Sequence, residues 1–199
     1  MPISQVTVGG NCCGACAASY LLEDLLKWVF SVGRIEDMWA QIAFDAGPAN
    51  ANLRSGANHP VLGPYGIHNE DTDPTKLTVL LTAMCPNISA KAYLHPNSPL
   101  VPVVPKLFDQ SQIVQPHRDG MGLLAGMGNW RGIGIYRNKA GLHYMATRWA
   151  GGDYQVMDSN RNVPVYTNAL RVMSLNANWN DPTLAETYTY LGAVILVHL

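Results

Sequence analysis

Helices come first in this chain and strands last, which predicts an α+β fold with an N-terminal helical part packed on a C-terminal antiparallel sheet. Three observations carry that expectation. Apolar residues recur at helical spacing through the first part of the chain. From Trp130 onward, short stretches rich in Ile, Val, Tyr and Thr are separated by Asn-, Gly- and Asp-bearing turns, the signature of hairpins and a meander. Finally, 199 residues without an internal repeat or low-complexity tract fit a single domain, 1–199, with a helical half at about 1–90 and a sheet half at about 125–199.

Taken in order, Ala18, Leu21, Leu22, Leu25, Val29 and Val32 share one helical face and Glu23, Asp24, Lys27 and Ser31 the other, predicting a helix from Gly14 to about Val32. A second helix is expected over Ile35 to Ala46, opening with Glu36 and Asp37 where the helix dipole favours acids and closing at Gly47-Pro48. Residues 48–74, rich in Gly, Pro, Asn and His, read as a long surface loop. A third helix runs from Pro74, tolerated in a first turn, to about Met84. Ile88 to Leu94 reads as a strand, 95–105 with its four prolines as irregular, and 106–129 as a short helix before its glycines. Strands follow at Ile133–Tyr136, Leu142–Thr147 and Tyr154–Met157, joined by turns at Asn138–Gly141 and Gly151–Asp153, and a last strand at Thr187–His198.

Composition excludes several classes of function. With 48% hydrophobic and 14% charged residues the chain is a low-charge globular protein, not a disordered one. A net charge of −1 without a run of Lys or Arg offers neither a nucleic-acid face nor a match for an anionic membrane. The apolar stretch Leu21–Val32 is short and interrupted by Glu23, Asp24 and Lys27, so no membrane span is expected. The segment before it lacks a basic region, so no secretory signal is expected either. Of the four cysteines, three lie within positions 12–16, and neighbouring side chains diverge too far for ordinary bridging. A reduced starting state follows: a cytoplasmic protein, or one delivered out of the cell by a signal-peptide-independent route.

The chemistry-bearing residues sit at the two ends. Asn11-Cys12-Cys13-Gly14-Ala15-Cys16-Ala17-Ala18 leads directly into the first helix, and His143 and Asp158 fall on strands far downstream. A thiol at a helix N-terminus is favoured as thiolate, an imidazole takes its proton, and a carboxylate orients the imidazole. That is what a nucleophilic cysteine hydrolase requires. His143 lies between Leu142 and Tyr144-Met145 in a strand, whereas His59, His68 and His95 are in Pro- or Asn-rich loops, His117 follows a proline, and His198 is next to the C-terminus. Asp158 ends its strand where it can accept from the second imidazole nitrogen. Asn160, two residues on, suits an Asn-type triad or simply a turn. Cys85 reads as a small buried hydrophobe. A zinc site on Cys13-x-x-Cys16 wants a second close pair of ligands that the chain does not offer, and a redox role wants a βαβ context that is missing. No metal and no cofactor is expected.

These residues resemble those of papain-like cysteine peptidases, in the style of small bacterial branches such as bacteriocin-leader peptidases and papain-like effector proteases. The likeness covers about 20 residues at the N-terminus and about 30 around His143. It implies a papain-like fold in which the nucleophile opens the central helix as Cys followed by Gly or Trp and small residues, with a His on a later strand and an Asp or Asn a hairpin further on. Cys13, His143 and Asp158 take those places. Cys16 matches a Cys-Gly-Ser-Cys signature with Ala15 for Ser, but Ala17 then replaces a Trp; Cys12 fits if the helix starts earlier. The resemblance also implies an oxyanion hole made by the nucleophile's backbone N–H and a Gln about six residues upstream. Gln5, eight residues before Cys13, departs from that spacing, and Asn11 is the alternative amide. The implied activity is amide hydrolysis through a Cys-His-Asp triad and an acyl-enzyme, as in a cysteine protease of bacterial effector or toxin type. The partners would be a protein or peptide substrate and a cognate inhibitor or host target protein. The same triad serves glutamine deamidases, transglutaminases and cell-wall amidases, and the scaffold also serves a non-catalytic binding module.

Overall fold

The computed structural model describes residues 1–43, 72–85, 87–101, 113–116, 131–139, 141–150, 153–169 and 175–198, with 113–116 and His198 described through their backbone alone. Among these, four helices precede eight strands: α1 (Gln5–Val8), α2 (Cys13–Leu26), α3 (Val32–Ile42), α4 (Pro74–Met84), β1 (Ser89–Leu94), β2 (Ile113–Pro116), β3 (Arg131–Asn138), β4 (Gly141–Ala150), β5 (Asp153–Met157), β6 (Thr167–Asn168), β7 (Asn178–Asn180) and β8 (Thr187–His198). The strands form one open sheet in the order β2-β1-β8-β3-β4-β5-β6, with β7 on β8. Every pairing is antiparallel except β1 with β2. The chain is therefore α+β, with a helical N-terminal part and a C-terminal antiparallel sheet. No helix among the described residues is long and apolar enough to cross a membrane.

Two helix boundaries differ from the sequence expectation, and for one reason. The apolar period continues to Val32, but α2 ends at Leu26 because Lys27 takes a left-handed conformation (φ 59°) and its N–H closes on Glu23 O. Val29 is then left 89% exposed while Phe30 turns inward. Ser31, which the periodicity assigns to the polar face of one long helix, instead caps the next helix by accepting from the Arg34 N–H. Consequently α3 spans Val32–Ile42 rather than Ile35–Ala46, and Ala43 leaves it in extended backbone to bridge with Thr72. At α4 the Asp73 carboxylate accepts from the Thr75 and Lys76 N–H groups and Pro74 occupies the first turn, so sequence and structure agree on Pro74–Met84. Within 106–129, expected to hold a short helix, the described residues 113–116 form β2 instead, because their backbone is drawn into parallel pairing with β1. The remainder of that stretch, and the expected loop up to residue 71, lie outside the described residues.

The helix α2 is buried along its whole first part, from Cys13 to Leu22, and packs against β3 and β4 on one side and α3 on another. Its run of small residues lets the helix lie close to the sheet, while Leu21 and Leu22 each contribute about 1.5–3 kcal/mol of apolar burial. Two contacts fix its ends. At the N-terminal end, a Cβ on Gly14 would overlap the Thr72 side chain, so the Ala43–Thr72 bridge lies directly against the first turn. Towards the C-terminal end Asp24 binds Arg131 of β3 and, at 3.1 Å, Arg148 of β4. A second apolar cluster gathers Tyr136, Met145, Tyr154, Val156, Trp179, Tyr188 and Tyr190, with the Tyr136 and Tyr154 hydroxyls 2.9 Å apart.

Candidate active site

Helix α2 begins at Cys13, with Cys12 as the residue before its first turn, and the Cys12 side chain makes no capping hydrogen bond. The first N–H groups of a helix have no partners within it, so Cys13 sits among uncapped donors at the positive end of a 14-residue dipole. On the sheet, His143 is the third residue of β4 and pairs in register with Tyr136 of β3. Asp158 follows the last residue of β5, and that strand pairs with β4 as far as Ala146↔Met157. The two meet at 2.8 Å, His143 Nε2 to Asp158 Oδ1, with side chains 4% and 0% exposed. Asp158 Oδ1 also accepts from the Asn160 N–H at 2.9 Å.

On its other side the His143 ring is under the influence of Cys13, which acts together with Asp158 to favour the charged imidazole. Burial pulls the imidazole towards its neutral form, but the Asp158 and Cys13 interactions outweigh it and lift His143 from 6.5 to about 10. Burial also disfavours the Asp158 carboxylate, yet the hydrogen bond and charge of His143 overcome it and hold the group below its ordinary value. The arrangement favours a protonated imidazole beside the carboxylate.

The three clustered thiols are not equivalent. Cys12 Sγ and Cys16 Sγ face each other at 3.6 Å, both fully buried. Cys16 sits a turn inside α2, its N–H bonded to Cys12 O. The contact with Cys12, then burial, pushes the Cys16 thiol well up. Of the three, Cys13 is the one that acts on the His143 charge.

Asn160 does not face the imidazole. The strand does not continue past Asp158, and Asn160 closes a turn on it, with its Nδ2 donating to the Tyr188 hydroxyl at 3.3 Å. Gln5 lies on α1, where Nε2 donates to Gly10 O at 2.8 Å and Oε1 accepts from the Ser159 hydroxyl at 3.0 Å. Its backbone N–H also binds Ser159 O, so α1 is tied to the residue after Asp158. Asn11 lies half-buried in the turn before α2. His95 accepts from the Asn97 N–H through Nδ1 within a turn, Cys85 follows the end of α4, His59, His68 and His117 fall outside the described residues, and of His198 only the backbone is described. Among the described residues, no group of three or more His, Cys, Asp and Glu side chains is disposed to hold a metal ion.

Tyr188 and Trp179 were not singled out by the sequence reading. Tyr188 stacks on the His143 ring at 5.1 Å and 27°, and Trp179 stacks behind it at 5.7 Å and 26°. The available signal was the alternation Thr187-Tyr188-Thr189-Tyr190, which puts two tyrosines on one face of the last strand.

No protein-family model matches the chain, and no curated protein matches it.

Proposed function

We propose that this protein is a papain-like cysteine hydrolase that cleaves an amide bond through Cys13, His143 and Asp158, most simply a cysteine protease of bacterial effector or toxin type. The observation that carries the reading is the buried 2.8 Å His143–Asp158 pair, near enough to the thiol at the first residue of α2 for Cys13 to raise the imidazole. In this mechanism the Cys13 thiolate attacks the acyl carbon, and the uncapped N–H groups of the first turn receive the developing oxyanion. His143 delivers its proton to the leaving amine as the C–N bond breaks, and Asp158 holds the ring in place. Water, deprotonated by the now neutral His143, then hydrolyses the thioester. Glutamine deamidation, transglutamination and cell-wall amide cleavage use the same steps with a different acyl donor or acceptor.

The test is brief, sub-stoichiometric iodoacetamide labelling near neutral pH, with the adduct located by mass spectrometry in wild type and His143→Ala. The expected result is rapid modification of Cys13 alone, lost in the variant. Slow labelling spread over the four cysteines and indifferent to His143 would sink the hydrolase reading.

A further inference from the structure

We propose that Tyr188 is a positioning residue of the His143–Asp158 pair: its hydroxyl donates to the Asp158 carboxylate, and its ring backs the imidazole. The inference rests on the proposed hydrolase reading for its use in catalysis, but the contact itself can be judged without it.

Asp158 is fully buried, and its two oxygens are served unequally. Oδ1 takes both the His143 ring and the Asn160 N–H. Oδ2 is buried and, among the described residues, has no partner of its own at hydrogen-bond geometry. A buried carboxylate oxygen without a donor costs folding free energy and lets the group rotate or take up a proton. Tyr188 is placed at this carboxylate from two sides: its ring stacks on His143, the partner of Asp158, and its hydroxyl is bonded by Asn160, whose backbone N–H binds Oδ1. Because that hydroxyl accepts from Asn160 Nδ2 at 3.3 Å, its own proton is free to point at Asp158. Asn160 therefore serves the pair twice, fixing Oδ1 through its backbone and aiming the tyrosine through its side chain.

The ring does a second job. Stacked on His143 and itself stacked against Trp179, Tyr188 covers one face of the imidazole and limits its tilt away from Asp158. The column ends on Arg161, whose guanidinium lies 6.0 Å over Trp179 and binds Asp181. Around the carboxylate the titratable and charged groups are thus His143 from β4, Cys13 and Tyr20 from α2, Tyr188 from β8, and Asp181 with Arg161 behind the aromatic column. Tyr188 is the one of these whose hydroxyl is held by Asn160, the residue that also binds Oδ1.

The experiment is a carbon-13 NMR titration of the Asp158 carboxyl, assigned with Asp158→Asn, in wild type, Tyr188→Phe and Tyr136→Phe. The phenylalanine at 188 keeps the stack and removes the donor. Tyr136→Phe removes a buried hydroxyl that bonds Tyr154 elsewhere in the same cluster. Tyr188→Phe is expected to raise the Asp158 titration by about one pH unit, with Tyr136→Phe unchanged. The acid limb of the Cys13 alkylation profile then moves to higher pH in the same variant. An Asp158 titration unaltered in Tyr188→Phe, or raised equally in both variants, overturns the assignment. A wild-type Cys13 that alkylates no faster than Cys85 overturns the hydrolase reading instead, and the carboxyl titration still decides whether Tyr188 is the donor.

Discussion

Asp158 and Arg161, three residues apart, each enter a buried ion pair, and the two pairs are built differently. Arg161 binds Asp181 Oδ2 through Nε at 2.8 Å and Thr167 through Nη1 at 2.6 Å. The other oxygen of Asp181 accepts from the Thr183 and Leu184 N–H groups. An arginine does not give up its proton in the working pH range, so this pair is an anchor. An imidazole, by contrast, can give up its proton within the accessible pH range, so the His143–Asp158 pair is labile. The anchor and the labile pair are joined through Trp179 and Tyr188. One turn thus carries both a fixed charge that holds a stack in place and a movable one that the stack presses against.

Breaking the labile pair has the largest expected effect. His143→Ala or Asp158→Asn lowers Cys13 alkylation at neutral pH, and turnover of any cleaved substrate, by about 10²–10⁴. A loss below tenfold in both would make the two pairs equivalent structural devices. Breaking the anchor instead acts on stability: Arg161→Ala strands Asp181 in the interior and costs about 3–5 kcal/mol in denaturant unfolding. Where that variant remains folded, the pH dependence of Cys13 labelling is expected to keep its shape.

The pH dependence of stability separates the pairs further. His143 is raised from 6.5 to about 10, so its stabilising contribution is complete below pH 6.5 and is lost as pH rises through about 10. Asp158 is lowered from 3.8, so its contribution stands above that pH and is lost as pH falls through the lower folded value. The melting temperature followed by calorimetry should therefore hold a plateau between these limits and fall on both sides. In Asp158→Asn the alkaline fall moves to lower pH, because an amide does not hold the imidazolium. An Arg161→Ala curve lowered as a whole with both limbs in place would assign the titration to the labile pair alone.

The smallest effect belongs to the opposite end of α2. Asp24 and its two arginine partners are 16–24% exposed, so Asp24→Asn costs at most about 1 kcal/mol. The Cys13 alkylation rate is expected to be unaltered. A several-fold drop would mean that the helix pivots as a rigid rod and that the Asp24 clamp helps to set the position of the thiol.

Much of this arrangement was legible because it depends on local chemistry. Asp73 and Pro74 mark the start of α4, and a β-branched and tyrosine-rich run, broken at Leu191-Gly192-Ala193, marks β8 at Thr187–His198. Cys13 and Asp158 stand out because each sits where its element begins or ends, and His143 because it lies between apolar residues within a strand. What the sequence concealed is non-local. The apolar period runs smoothly past Lys27, and only its left-handed backbone and the Ser31 cap reveal two helices. The strand β2 has no pattern of its own that outweighs its surroundings, and it exists through its pairing with β1. The stack of Tyr188 on His143 brings together residues 45 positions apart in the chain, which no spacing rule anticipates.

The Ala43–Thr72 bridge has a consequence for engineering. The chain departs at Ala43 and returns at Thr72 through one paired point, and that point is seated against Gly14, next to the thiol. A side chain added at Gly14, or a larger one at position 72, therefore acts on the first turn of α2, one residue from the thiol.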